Sequence, residues 1–600
     1  MRSSVLVTED DIRPEDPLIQ HAEESSAPLP SRHALFRLYW LTAIVCCGGL
    51  LFGYDSGVIG GVLTFDSFHR SFRYTSQNET RVSAIAVGVQ QAGALVGSLV
   101  IWPLTNRLGR RPAMAICSVV FCAGVIFEIL DTHARPAFYL GRVICGLGIG
   151  GSATVIPIYL TEMSPTSMRA RLGSCYQFTF TIGILISYWI DYGMQYAPSS
   201  AAQWQIPLAL QLIPGALMGV GMLTLHESVR WLLSHDHADQ AWDSLTWIRA
   251  SRGPEVKAEF RAMQSAIERD AHATADFSPR ELLQRANAHR LILGVALFVC
   301  QQSTGATAMA YFGPQFFALL VGGSSDVSTA SDATARLTLL LTGIFGFLKV
   351  ISCLLFIVFV ADRFGRRPLL ILGALAMSVC MLATAAVLRT TSVAPPSSSS
   401  PSSPSSPAYA TPDPDSDPDH GSSLLSPASL ATILLIYLSI VAYNLSWGPL
   451  PWPCSAELFS SARIREPGVA MGVAAQWLSN FGWSCATPYL LQGLGWGTFG
   501  LFGVLDAGFA GLVYGLLPET RGMGLEEIDS LFAVADAGYE GSSGLGPSSS
   551  LTSHLKIFKQ NQTKEDTVGL ITNQNQLRPT SGRGSDGGPR TRKLRTEGPH

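Results

Sequence analysis

The stretch Asn106-Arg107-Leu108-Gly109-Arg110-Arg111-Pro112 returns as Asp362-Arg363-Phe364-Gly365-Arg366-Arg367-Pro368, 256 residues further along the chain. Each copy is a short polar turn between two long apolar runs. Its glycine permits a tight turn, and its arginines are suited to gripping carboxylates at helix ends. Two further pairs of markers follow. Glu162 ahead of Arg169 matches Glu457 ahead of Arg465, and His226-Glu227-Ser228-Val229-Arg230 resembles Pro518-Glu519-Thr520-Arg521. Their offsets are 295 and 292 residues, so the spacing has grown by 36–39. A Ser/Pro-rich stretch from Thr391 to about Pro427, present only in the second copy, accounts for that growth. The chain therefore reads as two homologous halves, the second with an insert, and parallel duplication of this kind is a transporter signature.

Composition places both halves in a bilayer. Of 600 residues, 47% are hydrophobic and only 14% charged, against about 25% charged in soluble chains. Mean hydropathy is +0.26. Forty-one basic and forty-four acidic residues leave −3, which argues against a nucleic-acid partner. The eleven cysteines all lie in apolar segments without CxxC or metal-ligand spacing. They read as small packing groups, with no metal, cofactor or disulfide framework expected. The first thirty residues are acidic and lack the basic start and apolar core of a signal peptide.

Apolar runs long enough to span occur near 36–62, 82–104, 113–130, 137–160, 172–193 and 205–225, and again near 290–320, 336–361, 367–388, 428–452, 468–494 and 496–517. Runs of about twenty residues indicate helices rather than barrel strands. The predicted organisation is a disordered N-terminal tail (1–35), a six-helix bundle (36–225), a linker of short amphipathic helices (226–289), a second bundle (290–518) containing a disordered insert (391–427), and a mostly disordered C-terminal tail (519–600). Arginines cluster in the loops after spans 2, 4, 8 and 10, which the positive-inside rule assigns to the cytoplasm together with both tails and the linker. Asn78-Glu79-Thr80 is then an external glycosylation sequon, while Asn444 falls in the membrane and Asn561 in the cytoplasmic tail. Gly146-Leu147-Gly148-Ile149-Gly150-Gly151 has the look of a dinucleotide loop, but with no strand before it the run reads as close helix packing.

Seven motifs in order carry a family resemblance: Phe52-Gly53-Tyr54-Asp55-Ser56-Gly57, the two Gly-Arg-Arg turns, Gly141-Arg142, Pro157-Ile158-Tyr159-Leu160-Thr161-Glu162, Gln301-Gln302-Ser303-Thr304-Gly305, Trp447-Gly448-Pro449 and Pro518-Glu519-Thr520-Arg521-Gly522. On these, residues 36–528 resemble the sugar porter family of the major facilitator superfamily. Gly343-Ile344-Phe345-Gly346-Phe347-Leu348-Lys349 and Leu450-Pro451-Trp452-Pro453 point to its fungal quinate-permease-like branch. The resemblance implies an all-α membrane protein with the major facilitator fold: twelve transmembrane helices in two homologous six-helix halves, acting as a monomer in the lipid bilayer, in plasma membrane. It implies alternating-access transport of a hexose, pentose or quinate, with protons as the coupling ion. A facilitative uniporter and a non-transporting nutrient sensor stay open. The chain shows no catalytic constellation, so it is not read as an enzyme.

Residue by residue, the resemblance implies that Asp55 and Arg142 form the proton-coupling pair; a fixed structural ion pair is the alternative. Gln177, Gln301, Gln302, Thr307, Lys349, Trp452, Trp477 and Asn480 are implied substrate contacts, with helix–helix hydrogen bonding the alternative for the polar ones. Lys349 is the unusual one: a mid-membrane ammonium needs a wet cavity or an anion, either a substrate carboxylate or a protein carboxylate such as Asp506. Arg107, Arg111, Arg169, Glu162 and Glu227 are implied to form a cytoplasmic gate, repeated by Arg363, Arg367, Glu457, Arg465 and Glu519. Topology-fixing charge is the alternative there. Asn106, His226 and Val229 depart from the family's usual aspartate and two prolines, which makes an asymmetric gate the expectation.

Overall fold

The computed structural model describes residues 31–73, 78–130, 133–165, 168–274, 285–322, 332–361, 363–393, 426–458 and 462–519. The expected N-terminal tail, insert and C-terminal tail lie almost wholly outside the described residues, as does a second compact unit, Ser530–His600. No strand occurs among the described residues. The first half holds α1 (Arg32–Val62), α2 (Asp66–Ser71), α3 (Glu79–Leu108), α4 (Arg110–Ile129), α5 (Arg135–Met163) and α6 (Arg169–Met194). Its sixth span is two pieces, α7 (Ala202–Ala209) and α8 (Leu212–Met222). Three helices then intervene: α9 (Val229–Ser234), α10 (Ala238–Arg249) and α11 (Pro254–Thr274). The second half holds α12 (Arg285–Gln302), α13 (Ala306–Gly322), α14 (Asp332–Leu355), α15 (Arg366–Val393), α16 (Pro427–Asn444), α17 (Pro451–Leu458), α18 (Ala462–Leu494) and α19 (Gly497–Leu516). A π-helical turn, Phe356–Val360, continues α14.

Among the described residues ten segments are long and apolar enough to cross a bilayer. α6 and α18 are long but fall outside that set. Their 26 and 33 residues, at ~1.5 Å per residue, still exceed the ~30 Å hydrocarbon core. They are the more polar because they carry Gln177 and Thr181, and Gln476 and Asn480, which are turned inward and buried. With them the helices that span number twelve.

Besides the sixth, two predicted spans are broken, each at a glycine or proline. The run 290–320 divides between α12 and α13 at Ser303–Gly305, where Gly305 adopts φ +82°. The run 428–452 divides between α16 and α17 at Trp447-Gly448-Pro449, since proline supplies no N–H to continue the helix. Carbonyls freed inside a membrane must find donors. The Gln301 amide gives its N–H groups to the carbonyls of both Trp447 (3.0 Å) and Gly448 (2.9 Å), so one break satisfies the other.

Within the first half α1 packs on α6, and α5 on both α3 and α4; within the second, α15 packs on α16 and α19, and α12 on α18. The halves meet along α3–α18, α6–α14 and α1–α13. α9–α11 are docked at the end carrying the Gly-Arg-Arg turns: Leu232, Ala241, Leu245, Ile248 and Val256 share one apolar core with Leu38, Met163 and Leu225. The run Gly146–Gly151 lies inside α5, close against the backbones of α3 and α4.

Candidate functional site

Between the halves lies a cavity of about 510 Å3, counted out to its mouth. Amides supply much of its lining: Gln177 from α6, Gln301 and Gln302 from the end of α12, and Gln476 and Asn480 from α18. Aromatic faces complete the wall, chiefly Phe180, Tyr311, Tyr443 and Trp452. Gln301 Oε1, Gln476 Oε1, Asn480 Oδ1 and the Tyr176 hydroxyl have no hydrogen-bond partner among the described residues. Buried polar atoms normally have one, so these are places for water or for the polar groups of a ligand. Thr307 donates to Gln302 Oε1 at 2.6 Å.

Lys349 enters the same cavity from α14. Its Nζ lies 5.8 Å from the Phe180 ring centroid and 5.7 Å from that of Phe345, in cation–π range. No carboxylate among the described residues pairs with it. The alternative of pairing with Asp506 is therefore overturned: both Asp506 oxygens are buried without a hydrogen-bond partner, on α19. Trp477 is a second correction. It does not line the cavity but stands behind Phe52, at 5.1 Å between ring centroids, because Phe52 occupies the position in front of it.

Asp55, on α1, lies one residue from the cavity-lining Ser56 and is 0% exposed. Its Oδ1 accepts from Arg142 Nη1 at 2.7 Å and its Oδ2 accepts from the Gln90 amide. Each nitrogen of Arg142 has an acceptor: Nη2 donates to Gln90 Oε1 (2.5 Å) and Nε to the Ala86 carbonyl (3.1 Å). A hydrogen-bonded chain leads away from this pair. Gln91 donates to the Tyr311 hydroxyl (2.9 Å), and Asn480 donates to Gln91 Oε1 (2.9 Å). Gln90 and Gln91, which sequence reasoning passed over, thus join the ion pair of the first half to cavity residues of the second.

The sequence matches the model of the "Sugar (and other) transporter" family over residues 41–532. The chain belongs to this family. A quinate permease of Emericella nidulans is 30% identical over 84% of this chain and 90% of its own length. A probable quinate permease of Aspergillus clavatus is 31% identical, covering 84% and 89%. In fold the transporter resembles the proton:xylose symporter XylE bound to 6-bromo-6-deoxy-D-glucose, with TM-score 0.65 at 24% identity, covering 83% of this chain and 99% of that one. An inward-open XylE from E. coli gives TM-score 0.62 at 24% identity, covering 82% and 99%. The relatives are transporters, and the architecture is the major facilitator fold.

The arginine turns of this transporter are wired differently from the expected gate. Glu162 pairs not with Arg107 or Arg111 but with Arg110, in a two-point contact of 2.9 and 3.1 Å, and accepts from Ser228 Oγ at 2.5 Å. Among the described residues Glu227 forms no ion pair with an arginine side chain, although the Arg110 guanidinium is near enough to attract its charge. Its carboxylate accepts backbone N–H groups from Arg110, Arg111 and Ser228 at 2.8–3.0 Å, capping α4. Burial pushes the Glu227 carboxyl above the usual carboxylate range despite those three donors. Arg111 instead caps the end of α8, donating to the carbonyls of Met222 and Leu223. Arg107 is exposed at the last turn of α3, away from both glutamates.

The second half repeats the wiring. Glu519 accepts from the backbone of Arg366 (2.9 Å) and Arg367 (3.1 Å), and Arg367 donates to the Tyr514 carbonyl (2.6 Å). Arg363 lies over the Phe359 ring. The side chains of Arg169, Glu457 and Arg465 lie outside the described residues. His226 stacks on Trp247 at 4.6 Å, and its ring is held below the ordinary histidine range by burial and by Arg111 and Arg37.

Gly109 has φ +97° and ψ 171°, a conformation open essentially to glycine alone, and a Cβ there would strike the Glu227 carboxylate. Gly109→Ala is expected to destabilise the detergent-solubilised transporter by ~1–3 kcal/mol, seen as a lower thermal midpoint. An unchanged midpoint would contradict the capping geometry.

Proposed function

We propose that this chain is a proton-coupled transporter of a small polyhydroxylated carboxylic acid of the quinate type, in the plasma membrane, with the Gly-Arg-Arg end towards the cytosol and a monomer as the working unit. The observation that carries the substrate class is Lys349: an ammonium inside an amide-lined cavity, with no carboxylate among the described residues paired to it. An ammonium at that depth costs several kcal/mol unless hydrated or paired. A substrate carboxylate supplies the charge, and the unpaired amide acceptors suit ring hydroxyls. Relatives named quinate permease support the same reading.

For the cycle, Asp55 gives up Arg142 when it takes a proton, and Gln90 and Gln91 pass the rearrangement to Tyr311 and Asn480 at the cavity. The contacts of Gln91 with α13 and α18 cross from one half to the other, so protonation and the relative position of the halves bias one another. The roles of Gln177, Gln302, Thr307 and Trp452 are to ligate the ring from its several sides.

The test is uptake by purified transporter in proteoliposomes, using labelled quinate, glucose and xylose at several external pH values, with and without a protonophore. Quinate accumulation that rises with acidity and collapses with protonophore is the expected result. Lys349→Gln is expected to raise the quinate KM about 10–100-fold, since hydrogen bonds to charged groups contribute ~1.5–3 kcal/mol, with a much smaller change for glucose. Quinate uptake indifferent to Lys349→Gln would remove the carboxylate reading. pH-independent equilibration would make the protein a uniporter, and no uptake of any of the three would favour a sensor.

A further inference from the structure

The coupling pair has a third member. Glu128, at the end of α4, is 0% exposed, and its Oε1 lies 3.7 Å from Arg142 Nη1, the same nitrogen that donates to Asp55 at 2.7 Å. Neither Glu128 oxygen makes a hydrogen bond of good geometry among the described residues, and only the Cys145 thiol and the Gln211 amide stand close enough to donate to it. Arg142 and Cys145 face it from α5, Asp55 from α1, and Gln211 from between α7 and α8. Asp55 and Arg142 are the charged groups among them.

The charge count is the physical point. Two carboxylates and one guanidinium, all fully buried, carry one net negative charge, and an uncompensated charge in this setting costs several kcal/mol. One proton makes the set neutral. Nη1 carries two N–H donors, but it stands 2.7 Å from Asp55 and 3.7 Å from Glu128, so of the two carboxylates only Asp55 is hydrogen-bonded to it, while Nη2 and Nε serve Gln90 and Ala86. A short movement of Nη1 exchanges one carboxylate for the other.

We propose that Glu128 is the second carboxylate of the proton-binding centre, taking over Arg142 when Asp55 is protonated. The proton comes from the aqueous phase, bonds to an Asp55 oxygen as its contact with Nη1 opens, and leaves by the reverse step. No other bond forms or breaks. Without Glu128, protonation of Asp55 would strand a buried guanidinium cation. With it, Arg142 is paired in both states, and the two carboxylates titrate as a coupled set. This inference rests on the proton-coupled reading above.

Its test is the pH profile of quinate uptake in proteoliposomes for the wild type, Glu128→Gln and Glu128→Asp. Removing the second negative charge commits Arg142 to Asp55, so Glu128→Gln is expected to need roughly tenfold more protons for half-maximal uptake, a shift of about one pH unit. Glu128→Asp keeps the charge on a side chain one methylene shorter and is expected to give a midpoint between those of Glu128→Gln and the wild type. A merely structural role would lower the maximal rate and leave the midpoint in place, and that outcome overturns the proposal while leaving proton coupling standing. Should Glu128→Gln fail to fold, the profile of Glu128→Asp decides: its carboxylate sits farther from Nη1, so a midpoint equal to wild type is equally fatal. A wild type without any pH dependence would sink the coupled reading itself.

Discussion

Arg142→Leu is expected to leave little folded transporter. The substitution removes the one cation between Asp55 and Glu128 and puts two carboxylates into a dry site with no compensating charge. Breaking a buried ion pair in this way costs ~3–5 kcal/mol, a large part of the ~5–15 kcal/mol that holds a typical protein folded. It also removes the guanidinium donors to Gln90 Oε1 and the Ala86 carbonyl. Asp55→Asn is the informative counterpart. The amide keeps the shape and the contact with Gln90, and Arg142 retains Glu128, so the protein is expected to fold. It is expected to lose accumulation and pH dependence of uptake, because the group that takes the proton is gone. Thermal melting in detergent reads the first effect and proteoliposome uptake the second. An Arg142→Leu variant melting with the wild type, or an Asp55→Asn variant still accumulating substrate against a gradient, would refute this account of the pair.

Much of the fold was visible in the repeated turn, because that turn is a local device. Glycine, two arginines and a later glutamate build the same cap twice, Glu227 on α4 and Glu519 on α15. What the pattern left open was who meets whom. A carboxylate near an arginine pair suggests an ion pair, yet Glu227 and Glu519 serve backbone N–H groups while Arg111 and Arg367 serve carbonyls. Exposed N–H and C=O groups at buried helix ends need partners as much as charges do, and residue type alone does not rank those demands. Arg110 was left without a named partner for the same reason: of two adjacent arginines, only the packing of α4 against α5 decides which reaches Glu162.

The cavity was legible where a polar residue interrupts an apolar run, as at Gln177, Gln302, Lys349 and Asn480. It was less legible where the helix is already polar or where two candidates adjoin. Gln90 and Gln91 stand side by side on α3, about 100° apart on a helix, so one turns to Asp55 and the other to Tyr311. Glu128 sits near a span end beside Leu130-Asp131, where a carboxylate reads as interfacial. Only the tertiary position of Arg142 makes it part of the centre. Trp477 errs the other way: its spacing suits the cavity face, but Phe52 stands in front of it.

The other large effect is expected from a single methyl group. Gly49, Gly53, Gly57 and Gly61 recur every four residues along one face of α1, the face packed on α6. A Cβ at Gly53 would overlap the Phe180 carbonyl oxygen, with the Phe180 carbonyl carbon 2.8 Å away. A Cβ at Gly183 on α6 would in return strike the backbone of α1, 2.6 Å from the Tyr54 nitrogen. Backbone on both sides leaves no side chain to move aside, so the helices themselves must part. In a bilayer, close packing rather than water expulsion holds helices together. Gly53→Ala is therefore expected to cost ~3 kcal/mol, the upper end of overpacking. It should also impair transport, since Asp55 lies two residues on and its 2.7 Å contact with Arg142 has no slack. The same chemical change at Gly173, on α6 with nothing within 4 Å of its Cβ position, is expected to be neutral or to stabilise by ~0.5–1 kcal/mol through helix propensity. Opposite signs for one substitution at two helical glycines, read as thermal midpoints in the same detergent, is the result that follows from α1–α6 contact. Equal midpoints for Gly53→Ala and Gly173→Ala would mean the two helices are not held by that contact.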